Sequence, residues 1–223
     1  MGVAPAFIFD LDGTLVDSVY QHVLAWQAGL QEAGIDLSVW RIHRRVGMSG
    51  GLLSNALLRE AGRDLDAGVL RRLQEVHTEV FVRSFGAVRP LPGAIALLEH
   101  LTDHGVPWAI ATSGHMATAG PSLKLLGVAD SAVVVTHDDV QRAKPDPDLF
   151  LEAARRLGHP VEDTMIVGDS VWDLLAARRA GGLGIGLQSG GYGRDELQAA
   201  GAYRVYDDPA DLLRHLDEVG VRP

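Results

Sequence analysis

The sequence predicts an α/β protein, a doubly wound parallel sheet with a helical cap inserted early in the chain. Three observations predict it. Short apolar runs alternate with helical patterns along most of the chain, the signature of strand–helix crossovers with helices on both faces of a sheet. Residues 18–86 break that rhythm with helical stripes and no convincing strand. The ends of three predicted strands carry aspartates and hydroxyls, and ligands of open parallel sheets bind beyond such ends.

The first buried strand is Ala6–Phe9, bounded by Asp10. Val19, Val23, Trp26 and Leu30 then form a stripe at helical spacing, as do Val69, Leu73, Val76 and Val80. Ala33-Gly34 and Ala61-Gly62 mark helix ends between them. The alternating pattern resumes near Arg89-Pro90-Leu91-Pro92-Gly93, with a helix over Gly93–His104 and a strand at Trp108–Ala111. A helix over Thr118–Leu126 leads to a strand at Val133–Val135. Asp146 reads as an N-cap with Pro147 at the first helical position, opening a helix to Leu157. A strand at Met165–Val167, a helix over Val171–Ala180, a strand at Gly184–Leu187 and a helix over Asp211–Val219 complete the series.

Composition narrows the function. The 223 residues carry a net charge of −9, which argues against a nucleic-acid binder because backbone phosphates demand a basic surface. No cysteine is present, so disulfides, thiolate metal sites and a cysteine nucleophile are excluded. The start, MGVAPAFIFDLDGTLV, has no basic segment and is interrupted by Asp10 and Asp12, so it does not read as a signal peptide. No apolar stretch reaches the roughly 18 residues of a membrane span. The expectation is a cytoplasmic protein without a membrane partner, monomeric or a weak homodimer.

The chemistry should lie just beyond the strand ends. Asp10-Leu11-Asp12-Gly13-Thr14 succeeds the first strand; Thr112-Ser113-Gly114 succeeds the strand at 108–111; Gly168-Asp169-Ser170 succeeds that at 165–167, with Asp173 four residues after Asp169. Lys144 lies between the last two, and it and Lys124 are the only lysines among 20 basic residues. Carboxylates with one ammonium suit a hard cation, Mg²⁺, and a phosphoryl group bound to it. A calcium-binding EF-hand loop beginning at Asp10 fails, since Leu15 stands where its sixth position requires glycine.

These four segments, in this order, resemble the motifs of the haloacid dehalogenase superfamily, and the resemblance covers nearly the whole chain. It implies a Rossmann-like catalytic core over residues 1–17 and 87–223 and a helical cap over 18–86, with hinges near Val16–Ser18 and Gly86–Pro92. It further implies that Asp10 attacks phosphorus to give an aspartyl-phosphate. Asp12 would protonate the leaving alkoxide and then take a proton from the hydrolytic water. Mg²⁺ would be held by the Asp10 and Asp169 side chains and the Asp12 carbonyl. Thr112, with Ser113 and Gly114, would hold the phosphoryl oxygens, Lys144 would offset their charge, and Asp173 would orient a metal water or Lys144.

Variants of the motifs select within the family. Asp12 argues against dehalogenation, because a departing halide needs no proton. The absence of lysine from residues 18–86 argues against the Schiff-base phosphonate hydrolases. The expectation is a Mg²⁺-dependent phosphatase of small phosphomonoesters such as phosphoglycolate, a hexose phosphate or a nucleoside monophosphate. A hexose-phosphate mutase resembling β-phosphoglucomutase is the alternative, since His22 lies twelve residues after Asp10, where that mutase also carries a cap histidine. A receiver-like or non-catalytic phosphate-binding protein is a third reading. In the cap, Arg45 or a neighbour is expected to read a polar or anionic group of the substrate, and His22 is a further candidate for contact with it.

Overall fold

A computed structural model of the protein describes residues 5–62 and 67–221. Strand β1 (Ala6–Phe9) leads into a two-residue strand β2 (Val16–Asp17) and four helices, α1 (Val19–Glu32), α2 (Val39–His43), α3 (Gly50–Glu60) and α4 (Ala67–Ser84). The chain then runs through β3 (Arg89–Pro90), α5 (Ala94–Asp103), β4 (Trp108–Ala111), α6 (Met116–Leu125), β5 (Val133–Val135) and α7 (Asp148–Leu157). It ends with β6 (Thr164–Gly168), α8 (Val171–Ala180), β7 (Leu183–Leu187), α9 (Arg194–Ala200), β8 (Arg204–Tyr206) and α10 (Pro209–Arg214).

Six strands form one sheet in the order β5-β4-β1-β6-β7-β8, every pairing parallel. The apolar runs are strands because the sheet is covered on both faces. Phe7 and Phe9 pack to one side with Leu97, Leu101 and Leu212. Ile8 packs to the other with Leu149, Phe150, Ala153 and Ala177, as the two-residue period of a strand requires. The crossovers from β1 run outward to β4 and β5 on one side and to β6, β7 and β8 on the other. The carboxyl end of β1 therefore stands at the point where strand order reverses, which opens a crevice.

The helices between β2 and β3 bury a core of their own, built on Val19, Val23, Trp26, Leu30, Ile42, Leu53, Leu57 and Leu73. The first predicted stripe is buried as spaced. The second turns one residue toward the C-terminus: Leu73 and Val76 are buried, but Phe81 and His77 take the buried face and Val80 is only half-buried. On that face the Phe81 ring stacks on His22 at 3.9 Å. Antiparallel β2 and β3 pair Val16 with Pro90 and Asp17 with Arg89, at the two places where the chain leaves and rejoins the sheet.

Three expectations about elements are corrected. Asp146 is not the cap of α7: a turn in which the Asp146 amide donates to the Ala143 carbonyl (3.2 Å) precedes the helix. Pro147 is the cap residue and Asp148 the first helical one. The predicted helix over Asp211–Val219 breaks at His215 into α10 and a short 3-10 turn, Leu216–Val219. Strand β8 and helix α9 were not expected, being only three and seven residues long.

Leu57 is fully buried in the helical insert. Leu57→Ala should lower stability by about 2–5 kcal/mol, read as a lower urea midpoint with an unchanged slope. A midpoint equal to that of the wild type would show that this packing contributes nothing.

Candidate active site

The segment after β1 curls back on itself. The Leu15 amide donates to the Leu11 carbonyl at 2.9 Å and the Gly13 amide to the Val16 carbonyl at 2.8 Å, which turns the Asp10 and Asp12 side chains to the carboxyl edge of the sheet. Gly13 has φ of +84°, and a Cβ there would lie 2.5 Å from Asp169 Oδ2. Only glycine permits both the turn and the approach. The Asp10 amide donates to the Val167 carbonyl at 2.8 Å, tying the end of β1 to the end of β6, where Asp169 follows.

Beneath the crevice is a closed charge cluster. Asp10 and Asp169 are each 4% exposed, and Lys144 and Asp173 are 0% exposed. The Lys144 ammonium is hydrogen-bonded to Asp10 Oδ1 and lies 2.8 Å from Asp173 Oδ1. The other oxygen of Asp173 accepts the Ser170 amide (3.1 Å) and hydroxyl (2.5 Å) in a capping box that starts α8. Asp173 thus fixes both a helix end and the lysine. Asp169 Oδ1 accepts the Thr14 hydroxyl at 2.9 Å.

Burial pushes the Asp10 carboxyl up to about 7, with Lys144 opposing and Asp173 adding to the rise. Burial pushes Asp169 well up too, aided by Asp173 and Asp10. Lys144 is raised, since Asp10 and Asp173 more than offset the burial that disfavours its charge. Oxygen atoms of Asp10, Asp169 and Asp173 lie within 4.8 Å of one another. Carboxylates crowded this way, with one ammonium among them, relieve their repulsion by taking protons or a cation. An all-oxygen donor set fits a hard divalent ion. Lys144 already engages Asp10 and Asp173, which leaves the Asp10–Asp169 side as the better place for it.

Asp12 stands at the mouth. Its Oδ1 accepts the Ser18 hydroxyl at 2.6 Å and lies 3.2 Å from His22 Nε2. Burial would raise its pKa, but His22 and the Ser18 hydrogen bond outweigh it and hold Asp12 below the ordinary carboxylate range. His22 Nδ1 meets His77 Nε2 at 2.9 Å, and the His22 ring stacks on Phe81 at 3.9 Å. Ser18 occupies the cap position of α1 and makes no capping bond; its hydroxyl donates to Asp12.

Thr112 is buried, its amide donating to the Val135 carbonyl at 3.0 Å. Its oxygen accepts the Gly114 amide at 3.0 Å, which leaves the hydroxyl proton for a ligand. The Ser113 hydroxyl instead donates to the Gly47 carbonyl at 3.2 Å, binding the insert to the core. Asp10, Asp12, His22, Thr112, Ser113, Gly114 and Asp169 line one cavity. Lys144 and Asp173 lie sealed below it.

Arg45 is not brought there. Its Nη2 is 3.6 Å from Glu60 Oε2, and Arg41 engages the same carboxylate, so α3 holds both guanidinium groups away from the cavity. Sequence reasoning missed Thr14, Ser18, Gln74, His77 and Thr78, the last three lining the cavity from α4. Ser18 reads as a helix cap and Thr14 as part of a turn. Nothing in the sequence says which face of α4 meets the crevice.

Residues 4–181 match the family model of haloacid dehalogenase-like hydrolases. The chain is 35% identical to hexitol phosphatase A of Escherichia coli over 179 residues, 78% of this chain and 79% of that one. It is 33% identical to a phosphoglycolate phosphatase of Rhodospirillum rubrum over 215 residues, 93% and 88% of the two chains. A crystal structure of a hydrolase from Pseudomonas syringae superposes with a TM-score of 0.95 at 50% identity, covering 97% of this chain and all of that one.

The charge cluster has a measurable consequence. The folded, metal-free chain keeps protons on Asp10 and Asp169 that the unfolded chain releases near the ordinary carboxylate range of about 4. These two carboxyls should therefore contribute less stability as pH rises from about 4 through about 7, against the opposite and smaller contribution of one buried histidine, His77. Scanning calorimetry should show a lower Tm at about pH 8 than at about pH 5.5, on the order of 2–4 °C per kcal/mol. Mg²⁺ should raise Tm more at the higher pH, where fewer protons are displaced, and Asp169→Asn should flatten the dependence. A Tm shift with Mg²⁺ that is larger at the lower pH would contradict this account.

Proposed function

The chain belongs to the haloacid dehalogenase-like hydrolases, and from that premise we propose that it is a Mg²⁺-dependent phosphatase of small phosphomonoesters working through an aspartyl-phosphate on Asp10. One observation carries the reading. Two carboxylates at the end of β1 sit in opposite environments, Asp10 buried against Lys144 and Asp12 at the mouth against His22 and Ser18. Pairs of titratable groups pushed apart by their surroundings divide nucleophilic and acid–base duties.

In the proposed reaction, an Asp10 oxygen forms a bond to phosphorus as the bond from phosphorus to the ester oxygen breaks. Asp12 gives its proton to the departing alkoxide. Water then attacks the phosphorus of the acyl phosphate, Asp12 takes its proton, and phosphate leaves with Asp10 restored. At rest Asp12 is held ionised, which suits the second step. For the first, the substrate's own dianionic phosphoryl group raises its proton affinity by like-charge repulsion. The Thr112 hydroxyl and adjacent backbone amides would hold the phosphoryl oxygens, and Lys144 would offset the charge on them. The Asp10 and Asp169 carboxylates with the Asp12 carbonyl would hold Mg²⁺, which supplies charge neutralisation between carboxylate and phosphoryl group.

Support for the phosphatase class comes from the curated relatives, named as phosphatases of hexitol phosphate and of phosphoglycolate. The mutase reading loses ground on one point. A hexose-phosphate mutase must hold a second phosphoryl group at the far end of the sugar, and no arginine or lysine lines the cavity among the described residues.

Phosphate release from a panel of esters should require Mg²⁺, stop with EDTA and return when Mg²⁺ is restored. Asp10→Asn should lose at least about a thousandfold in kcat and Asp12→Asn about 10²–10⁴-fold, both with unchanged circular dichroism. Substantial turnover by Asp10→Asn would refute the nucleophile.

A further inference from the structure

We infer that the leaving group accepted here is a neutral polyhydroxylated carbon skeleton, a sugar or polyol, held through Gln74 and Thr78 of α4 and packed on Trp26. Esters whose leaving group bears a second anion, a carboxylate or another phosphate, are then poor substrates. The inference rests on the phosphatase reading above and narrows it.

The cavity has two unlike halves. Asp10, Asp12, Asp169, Thr112 and Gly114 form its floor; Trp26, Met48, Leu53, Gln74, His77 and Thr78 face them from the helical insert. The floor takes the phosphoryl group, so the insert meets whatever the phosphoryl group was attached to. Among the described residues that half carries no arginine or lysine, and His22, which lines it from α1, is already set against Asp12 Oδ1 at 3.2 Å. The three arginines of the nearby segment are spent elsewhere: Arg41 and Arg45 on Glu60, and Arg44 on Glu196 and over the Tyr192 ring at 4.1 Å. Lys144 is sealed beneath Asp10. His77 is buried, which with His22 beside it holds its pKa well down, and His115 on the rim is paired with Asp138 at 2.6 Å. A second anion would thus leave water for a partly apolar chamber facing Asp10, Asp12 and Asp169, with no arginine or lysine to pair with it at the leaving-group end.

What the insert does offer is neutral hydrogen bonding on an apolar wall. Gln74 and Thr78 are one turn apart and share a face of α4. The Thr78 hydroxyl donates to the Gln74 carbonyl at 2.9 Å, which leaves its lone pairs to accept. The Gln74 amide brings two donors and an acceptor. Around them Trp26, Met48 and Leu53 present carbon surface, and Trp26 is kept in place by stacking on His77 at 4.2 Å. Alternating C–H and O–H groups along one skeleton match that wall. A few convergent polar groups in an apolar pocket are how small-molecule sites fix orientation.

The test compares kcat/KM for sorbitol 6-phosphate and glucose 6-phosphate with that for 2-phosphoglycolate and fructose 1,6-bisphosphate. The neutral-skeleton esters should lead by at least about tenfold, and Gln74→Leu should shrink that lead by about fivefold to tenfold, as expected for one lost hydrogen bond. Gln74→Lys should move the preference toward phosphoglycolate. A preference of the wild type for phosphoglycolate or the bisphosphate would overturn the inference. So would an unchanged ratio in both variants, with folding verified by circular dichroism. If no ester is hydrolysed, the phosphatase reading fails instead. Calorimetric titration of Asp10→Asn then decides the inference alone: tighter binding of sorbitol 6-phosphate upholds it, and tighter binding of phosphoglycolate overturns it.

Discussion

One buried ammonium sets the terms for the rest of the site. Lys144 bonds Asp10 and Asp173 where oxygens of three carboxylates converge within 4.8 Å. Unpaired charges buried in this way cost several kcal/mol each, so the three segments that carry them must arrive together. The turn after β1 brings Asp10, the capping box of α8 brings Asp173, and the turn before α7 brings the lysine. The Lys144 carbonyl in turn accepts the Ser49 amide at 3.0 Å. The residue that balances the core's charge is therefore also a point where the helical insert touches the core.

The insert touches the charged residues as well as covering them. Ser18 at the cap of α1, by a hydrogen bond, and His22 in its first turns, by its ring nitrogen 3.2 Å away, hold the Asp12 carboxyl low against the effect of burial. His22 is itself positioned by His77 and Phe81 of α4. Any displacement of α1 from the sheet would remove both contacts and raise the proton affinity of Asp12. The carboxyl proposed as the acid–base group is thereby tied to the seating of the insert, which is held to the core by Ser113 on Gly47, by His43 on Gly190 at 2.8 Å and by Tyr192 on Arg44 at 3.1 Å.

Much of this was legible in the sequence, for identifiable reasons. Strands buried on both faces write themselves as uninterrupted apolar runs, so five of the six sheet strands were expected. The carboxylates announce themselves because they follow those runs. Asp173 was placed near Asp169 by its four-residue spacing and by the resemblance of the motif. The rest depended on distances the sequence does not encode. Ser18 carries the signal of a helix cap while its hydroxyl serves Asp12. Arg45 sits in a basic segment, and only the position of Glu60 across α2 and α3 shows that its charge is answered outside the cavity. His77, Gln74 and Thr78 belong to a helix whose buried face is set by Phe81 rather than by the valine spacing. Strand β8 and helix α9 are too short for periodicity to speak.

The electrostatics of the floor explain why the other half of the cavity can be neutral. A phosphoryl dianion must enter a space already bordered by Asp10, Asp12 and Asp169, with Lys144 committed to two of its neighbours. In the proposed reaction attraction there would depend on a divalent cation and on the Thr112 hydroxyl with the backbone amides beside it, all of which would act on the phosphoryl group and none on the leaving group. Charge recognition is thus completed within the core, at the strand ends. An additional cation in the insert would pull every polyanion toward the site and would lessen discrimination between esters. A wall of Trp26, Gln74 and Thr78 discriminates by shape and hydrogen-bond pattern instead, where a polar group left without its partner carries a cost of about 1–3 kcal/mol. Selectivity and catalysis are then written in separate segments of the chain, and the helices between β2 and β3 can change the first without disturbing the charge balance on which the second depends.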